Sequence, residues 1–560
     1  MEYLSKYQHW CGSSAIDSAT KAELLSIAGD DKEIKERFFN DLAFGTGGLR
    51  GVIGAGTNRI NKYVVRKTTQ GYAEYIKKCG SEAMKRGVVI AHDNRRFSVE
   101  FSEETAGVLA ANGIKAYLFD SLRPTPELSF AVRELNAFGG VVITASHNPP
   151  EYNGYKLYDE RGCQLVSELN DLVIAEIANI RDPLEVKSLS LAEAGELVVR
   201  LNGELDETYY NAVMSIAINP DLDKSSIKIV YSPQHGTGNV PVRTVLARLG
   251  YNVIPVEEQC FPNTEFVNTP NPNPETDVAY KLAFEYAKKA DADIVITTDP
   301  DCDRLGVAVK QNGEYVRMTG NQSAAVLLEY ILSQKTEKGI LPENAVMFNT
   351  VVTSDLGDRV CAKYGVSVEK TLTGFKYIGE KIYRHELAGD KKFVFGYEES
   401  YGCLVSDCVR DKDAVQASMM LCEAAVYYHS KGKTLLDVLN DIYAEHGFFL
   451  DALDNFAFKG LDGAEKITSL VNGLRNDPPV SAGDVKVIDM EDYKSERMMN
   501  AGFPSSNVLR FLLKDGSWVA VRPSGTEPKC KFYFSVVAPN RSEAEKKLGI
   551  MKATFEAACR

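Results

Sequence analysis

"GGVVITASHNPPEYNGYKLYD", Gly139 to Asp159, begins as an apolar, β-branched run and then breaks into a polar loop carrying Ser146 and His147. A short continuous apolar run that stops at turn residues reads as a strand buried on both faces, the mark of a parallel sheet covered by helices. The pattern recurs in "DADIVITTDPDCDRLGVAV" (Asp291 to Val309) and "KFVFGYEESYG" (Lys392 to Gly402), each time with a polar or charged segment directly after the strand. Ligands in open α/β sheets collect at the carboxyl ends of strands. Three such blocks would line one cleft.

Outward from these runs, the first block adds the strands "RGVVIAHD" and "IKAYLFD" around a helix from Ser98 to Asn112. The second opens with "IKIVYSPQHGTGN", followed by the helix "TVLARLG", the strand "YNVIPV" and a helical stretch from Ala279 to Lys289. The third has the helix "SAAVLLEYILS", the strands "AVMFNTVVTS" and "VSVEKTLTGFK", and a helix from Ala414 to His429. After Gly447 the texture changes. "VLRFLLKDGSWVAVRPSGTEPKCKFYFSVVA" alternates like antiparallel strands around the turn "KDGS", and a helix from Arg541 to Ala558 follows. The expected fold is three related mixed-sheet α/β domains, 1–205, 206–320 and 321–447, and a smaller α+β domain, 448–560, around a central cleft.

The chain has 560 residues, 44% of them hydrophobic, enough to bury several cores. A net charge of −13 excludes a protein that grips nucleic-acid backbones, so an anionic ligand must be drawn by a local basic cluster. Eleven scattered cysteines without a CxxC pair suggest neither zinc nor disulfides, and point to a reducing compartment. No run approaches the roughly 18 apolar residues of a membrane helix. The expectation is a soluble cytoplasmic protein with no nucleic-acid or membrane partner; oligomeric state is left open.

In "TTDPDCDRLG", Asp299, Asp301 and Asp303 alternate behind a buried strand, so their carboxylates can surround one hard cation if the loop curls. An EF-hand is disfavoured, because its glycine position holds Arg304 and its twelfth position Lys310. An all-oxygen set with no Cys/His pair nearby favours Mg²⁺, which commonly completes its shell with phosphate oxygens. In "VAVRPSGTEPK", Arg522, Ser524, Gly525 and Thr526 combine charge, hydroxyls and an approachable backbone at a strand end, which suits a phosphate. "FGYEESYG" sets Glu398 and Ser400 on one side of an extended segment, either as an acidic turn or as a reader of adjacent sugar hydroxyls. Arg50, Lys156, Lys376 and Lys412 lie beside glycine or aspartate in loops and gain meaning only by converging. "GTGGLRG" and "QHGTGN" satisfy neither nucleotide-loop pattern.

Ser146 beside His147 invites a hydrolase reading, but "TASHNP" lacks the glycines of a nucleophile elbow. Adjacent residues of an extended segment also point to opposite sides, which would set His147 away from the Ser146 hydroxyl. A serine that carries phosphate, facing Mg²⁺ and cationic side chains, accounts better for the neighbouring inventory.

"TASHNP", "DPDCDR", "GYEES" and "RPSGTEPK", in this order and at these separations, resemble the α-D-phosphohexomutase superfamily over nearly the whole chain. The length, "GTGGLRG" and "TLTGFK" are similar to its longer, glucose-phosphate branch, which also contains pentose-phosphate enzymes. The resemblance implies a phosphoserine at Ser146, Mg²⁺ held by Asp299, Asp301, Asp303 and the serine phosphate, a sugar-reading pair at Glu398 and Ser400, and a distal phosphate loop at Arg522, Ser524, Gly525 and Thr526. It adds Arg50, His147, Arg304, Thr373, Gly374, Lys376 and Lys412 as further active-site positions. Lys156 falls where a general acid or base is expected, provided neighbouring cations or burial depress its pKa. The fourth domain would be of the TATA-box-binding-protein-like class. The implied reaction interconverts glucose 1-phosphate and glucose 6-phosphate through glucose 1,6-bisphosphate. The alternatives are a pentose- or mannose-phosphate substrate, a Mg²⁺-dependent phosphatase and a silent sugar-phosphate sensor. "PPEYNGYK" leans toward the pentose side and Ser400 toward a hexose.

Overall fold

The structure is a computed structural model that describes residues 2–45, 47–457, 463–523 and 529–557. The described residues form two compact units: 1–318 with 379–387 and 401–429, and 319–378 with 388–400 and 430–560.

The first unit contains two mixed sheets. In the first the order is Gly48–Val52, Tyr152–Asp159, Gly139–Ile143, Val88–His92, Ala116–Phe119 and Val198–Leu201. Val88–His92 runs parallel to both Ala116–Phe119 and Gly139–Ile143, whereas Tyr152–Asp159 returns antiparallel beside Gly139–Ile143 and then pairs antiparallel with Gly48–Val52. Every residue of Gly139–Ile143 is buried, because side chains from both faces meet helix-borne apolar groups. The continuous apolar run therefore reads correctly as a two-sided strand, and the sheet around it is mixed as expected. The polar "EYNGYKLYD" conceals the return strand that makes the sheet mixed.

The second sheet has the order Glu314–Met318, Leu305–Gln311, Ile294–Thr298, Lys228–Ser232 and Asn252–Pro255. Ile294–Thr298 is wholly buried and ends directly at Asp299, so the aspartate loop leaves the carboxyl end of a rigid central strand. Loop 233–238 packs against it: Thr237 donates its N–H (2.8 Å) and its hydroxyl (2.9 Å) to the Pro300 carbonyl. Gly236 is required here, since a Cβ at this position would stand 2.5 Å from Pro300 Cα.

Three N-terminal helices, Glu2–Gly12, Ser18–Ser26 and Asp31–Phe38, were not expected from sequence. Asp17 and Asp30 cap the second and third by accepting N–H groups from Thr20 (2.8 Å) and Glu33 (3.0 Å). Tyr3, Tyr7 and Trp10 share one helical face, and Trp10 meets Phe38 and Tyr63 edge-on, with ring centroids 5.7 and 5.4 Å away.

In the second unit Ala345–Thr350 pairs parallel with Ser367–Thr371 and Lys392–Tyr397. The C-terminal sheet, ordered Phe448–Ala457, Lys529–Ala538, Trp518–Pro523, Leu509–Leu513, Val485–Asp492 and Ser481–Ala482, pairs antiparallel along its length. Helices Gly463–Asn476 and Arg541–Ala557 supply Leu470, Val471, Met551 and Phe555 to its core. No helix among the described residues is long and apolar enough to cross a membrane.

The contact at Gly236 sets a test of the scaffold. Gly236→Ala should destabilise the protein by about 1–3 kcal/mol in denaturant unfolding. Gly12→Ala, whose Cβ would meet nothing within 4 Å, should leave the midpoint in place.

Candidate active site

The strand Gly139–Ile143 delivers Ser146, and Ser146 takes a left-handed backbone, φ 52°. This is costly for a residue with a Cβ, and the surroundings hold it. The Ser146 N–H donates to Thr144 Oγ1 (2.8 Å), and the Thr144 hydroxyl donates to Asp93 Oδ2 (2.7 Å). Ser146 itself is 3% exposed, and its hydroxyl donates to Asp299 Oδ2 at 2.8 Å.

The left-handed turn overturns one expectation. His147 Nδ1 lies 3.1 Å from Ser146 Oγ rather than on the opposite side, because the loop is not extended at this point. Burial first, and then Arg304 and Arg50, push the imidazole pKa well below its ordinary value. His147 is therefore neutral near pH 7, a hydrogen-bond partner of the serine and not a cation.

Asp299, Asp301 and Asp303 are at most 3% exposed, and one oxygen of each lies within 4.8 Å of the others. The loop curls because Cys302 is left-handed (φ 55°) and Asp299 Oδ1 accepts the N–H groups of Asp303 (3.1 Å) and Arg304 (3.0 Å). Burial and then its two acidic neighbours push the Asp299 pKa well above the carboxylate range. Asp301 Oδ1 and Asp303 Oδ1 are buried with no hydrogen-bond partner. Buried anionic oxygens without a hydrogen bond are costly, and a hard cation would satisfy all three groups at once. The donor set fits a divalent metal.

Cations close the other side. Lys156 Nζ is 2.8 Å from Asp301 Oδ2 and 3.8 Å from Asp303 Oδ2, and Lys412 Nζ is 3.2 Å from Asp303 Oδ2. Arg304 bonds Glu275 Oε1 (2.7 Å), and Arg50 donates to Asn148 Oδ1 (2.8 Å). Lys156 does not meet the condition of a depressed pKa. Burial lowers its pKa, but Asp301 and Asp303 outweigh that and leave it raised, so the side chain rests as an ammonium.

The first unit thus gathers Ser146, His147, Lys156, Arg50, Arg304, Lys412 and the three aspartates. Sequence reasoning missed four supporting residues: Asp93, Arg95, Glu275 and Thr125, whose hydroxyl donates to Asp301 Oδ2 at 3.1 Å. Asp93 and Arg95 follow the strand Val88–His92 in "AHDNRR", so the polar-loop-after-strand rule would have found them.

In the second unit the backbone N–H of Gly374 (φ 118°) donates to Glu398 Oε1 at 2.7 Å. Lys376 is buried with its ammonium 5.0 Å from the Tyr377 ring centroid, and the Thr373 hydroxyl is buried with no partner. The strand ends at Tyr397, and Glu399 and Ser400 form a turn, so Glu398 and Ser400 do not share one side of an extended segment. Arg522 is the penultimate residue of the strand Trp518–Pro523, beside Tyr533. Burial and then Glu399 raise the Tyr533 phenol pKa, and Arg522 opposes them. Ser524, Gly525 and Thr526 lie outside the described residues.

Four segments match the phosphoglucomutase/phosphomannomutase family: its alpha/beta/alpha domain I over 41–183, domain II over 207–313, domain III over 319–446 and its C-terminal domain over 472–547. The chain is 37% identical over 518 residues to a phosphoglucomutase of Staphylococcus haemolyticus, covering 90% of this chain and 92% of that one. It is 36% identical to one of Staphylococcus aureus, covering 93% and 94%. The fold matches the open form of the phosphoprotein parafusin, a phosphoglucomutase from Paramecium, with TM-score 0.70, 18% identity and coverage of 92% and 95%. A phosphoglucomutase/phosphomannomutase family protein from Burkholderia thailandensis gives TM-score 0.68, 19% identity and coverage of 92% and 97%. The family match and the phosphoglucomutase relatives identify an enzyme of the phosphotransferase class. The chain belongs to the phosphoglucomutase/phosphomannomutase family.

Two measurements check the site. Asp301→Asn should raise the divalent-cation concentration for half-maximal binding in calorimetry by about tenfold or more, because it removes one of three charged ligands. Histidine NMR should find the His147 ring neutral through pH 6. Its folded pKa lies below the unfolded value, so its contribution to stability is present above about pH 6.5 and is lost as pH falls below that.

Proposed function

We propose that the chain interconverts glucose 1-phosphate and glucose 6-phosphate in the cytoplasm, by passing a phosphoryl group between Ser146 and the sugar through glucose 1,6-bisphosphate. The observation that carries this reading is the Ser146 hydroxyl, buried and 2.8 Å from the aspartate that anchors the carboxylate triplet. A serine placed only for hydrogen bonding has no need of three crowded aspartates, two ammonium groups and two guanidinium groups around it. The curated phosphoglucomutases at 36–37% identity support the same choice of sugar.

Phosphoryl transfer is governed by alignment and charge stabilisation. Asp299, Asp301, Asp303 and the serine phosphate would hold Mg²⁺, which when bound supplies Lewis-acid polarisation of a phosphoryl oxygen. The protein's own groups divide the remaining work. When unphosphorylated Ser146 attacks the bisphosphate, its proton passes along the hydrogen bond to the neutral His147 ring at Nδ1, already in place. Lys156, resting as an ammonium, gives a proton to the departing sugar oxygen and recovers it from the attacking hydroxyl in the opposite half-reaction. Lys412, Arg304 and Arg50 balance the phosphate charge.

Glu398 and Ser400 are assigned to adjacent ring hydroxyls, features that survive when the sugar turns end for end. Thr373, Gly374 and Lys376 border them. Arg522, with Ser524, Gly525 and Thr526, is assigned to the phosphate that is not reacting.

Ser146→Ala should lose turnover of glucose 1-phosphate by more than about a thousandfold while melting at an unchanged temperature. Wild-type-like turnover in that variant would remove the phosphoserine. Steady release of inorganic phosphate by the wild-type protein would replace the mutase by a phosphatase.

A further inference from the structure

We propose that Arg95 is a positioning residue for phosphoryl transfer, a clamp that holds the serine loop at one height above the aspartate triplet. The inference rests on the phosphoserine reading of Ser146. Arg95 is 3% exposed and touches none of the proposed reacting atoms. Its guanidinium instead donates to three backbone carbonyls of the serine loop and to one at the start of the return strand: Nη2 to Ser146 (2.5 Å) and Asn148 (2.5 Å), and Nη1 to Pro149 (2.8 Å) and to Tyr152 (3.0 Å). Those carbonyls bracket a loop that is neither strand nor helix and so lacks a ladder of its own.

The clamp is anchored on both sides. Asp93 faces Arg95 Nε at 3.3 Å, with both side chains fully buried, and accepts the Arg95 N–H at 2.9 Å. The same carboxylate accepts from Ser98 Oγ (3.0 Å) and from Thr144, the residue that receives the Ser146 N–H. On the other side the guanidinium carbon lies 5.1 Å from the ring centroid of Phe266, a fully buried residue in the loop that follows the second sheet's Asn252–Pro255. Arg95 therefore ties the serine loop to the part of the molecule that carries the aspartates.

Two site residues depend on it. The Ser146 carbonyl it holds belongs to the strained, left-handed residue whose hydroxyl must reach Asp299. The Asn148 carbonyl it holds belongs to the residue whose side chain receives Arg50. A planar guanidinium can present parallel N–H groups to several carbonyls at once, and an ammonium at the end of a flexible stem cannot reproduce that fork.

Misplacement of a reacting group by about 1 Å costs about a hundredfold in rate. Arg95→Lys should therefore lower kcat for glucose 1-phosphate by about a hundredfold, with KM little changed because sugar and distal phosphate are read elsewhere. Arg95→Ala should regain part of its kcat in millimolar guanidinium chloride and none in the same concentration of tetramethylammonium chloride. Unchanged kcat in Arg95→Lys, or a loss that only follows the unfolded fraction in thermal melts and resists guanidinium, overturns the proposal. If neither variant folds, Phe266→Leu decides: a several-fold fall in kcat at constant KM supports the clamp, and unchanged kcat removes it. Ser146→Ala in the same assay separates the two readings. Turnover in that variant defeats the phosphoserine itself, whereas an inactive Ser146→Ala beside an unimpaired Arg95→Lys defeats only the clamp.

Discussion

Three carboxylates crowded within 4.8 Å in a site nearly closed to water repel one another, and most of the first unit's polar architecture answers that repulsion. Coulomb energy between like charges at this separation is large once solvent is excluded. The structure meets it locally with ammonium groups of Lys156 and Lys412, a hydroxyl from Thr125 and the serine hydroxyl on Asp299. It leaves Asp301 Oδ1 and Asp303 Oδ1 buried without a hydrogen bond, the latter 3.8 Å from Arg304 Nε, which is the strongest physical argument for a cation.

The same crowding explains why the serine loop is strained. For the Ser146 hydroxyl to reach Asp299 the backbone turns left-handed, and that turn also brings His147 onto the hydroxyl. Thr144, Asp93 and Arg95 then hold a conformation that the loop alone would not favour. Support for the reacting group thus comes from the segment after a neighbouring strand, which packing has already fixed.

Much of this was legible in the sequence, for physical reasons that also mark its limits. Buried strands read well because their apolar runs are continuous, and the aspartate triplet because alternation on a curled loop is rare without a ligand. Tyr152–Asp159 did not read as a strand, since its polar residues and Gly154 mask a return strand that tertiary pairing creates. The core of the three N-terminal helices is closed by Ala55, Tyr63 and Leu184, which lie outside the segment. The side on which His147 lies does not read from sequence because positive φ at a serine has no sequence signal, and the raised pKa of Lys156 does not because its partner Asp301 lies 145 residues away. Arg95 shows its role only through backbone carbonyls, which carry no side-chain identity at all.

The central claim is that Ser146 carries the phosphoryl group, and peptide mass spectrometry after incubation with glucose 1,6-bisphosphate tests it most directly. The account predicts one phosphoryl group on the peptide containing Ser146 and its disappearance when excess glucose 6-phosphate is added. An unmodified Ser146 peptide, or a phosphoryl group on another residue that turns over instead, would contradict it.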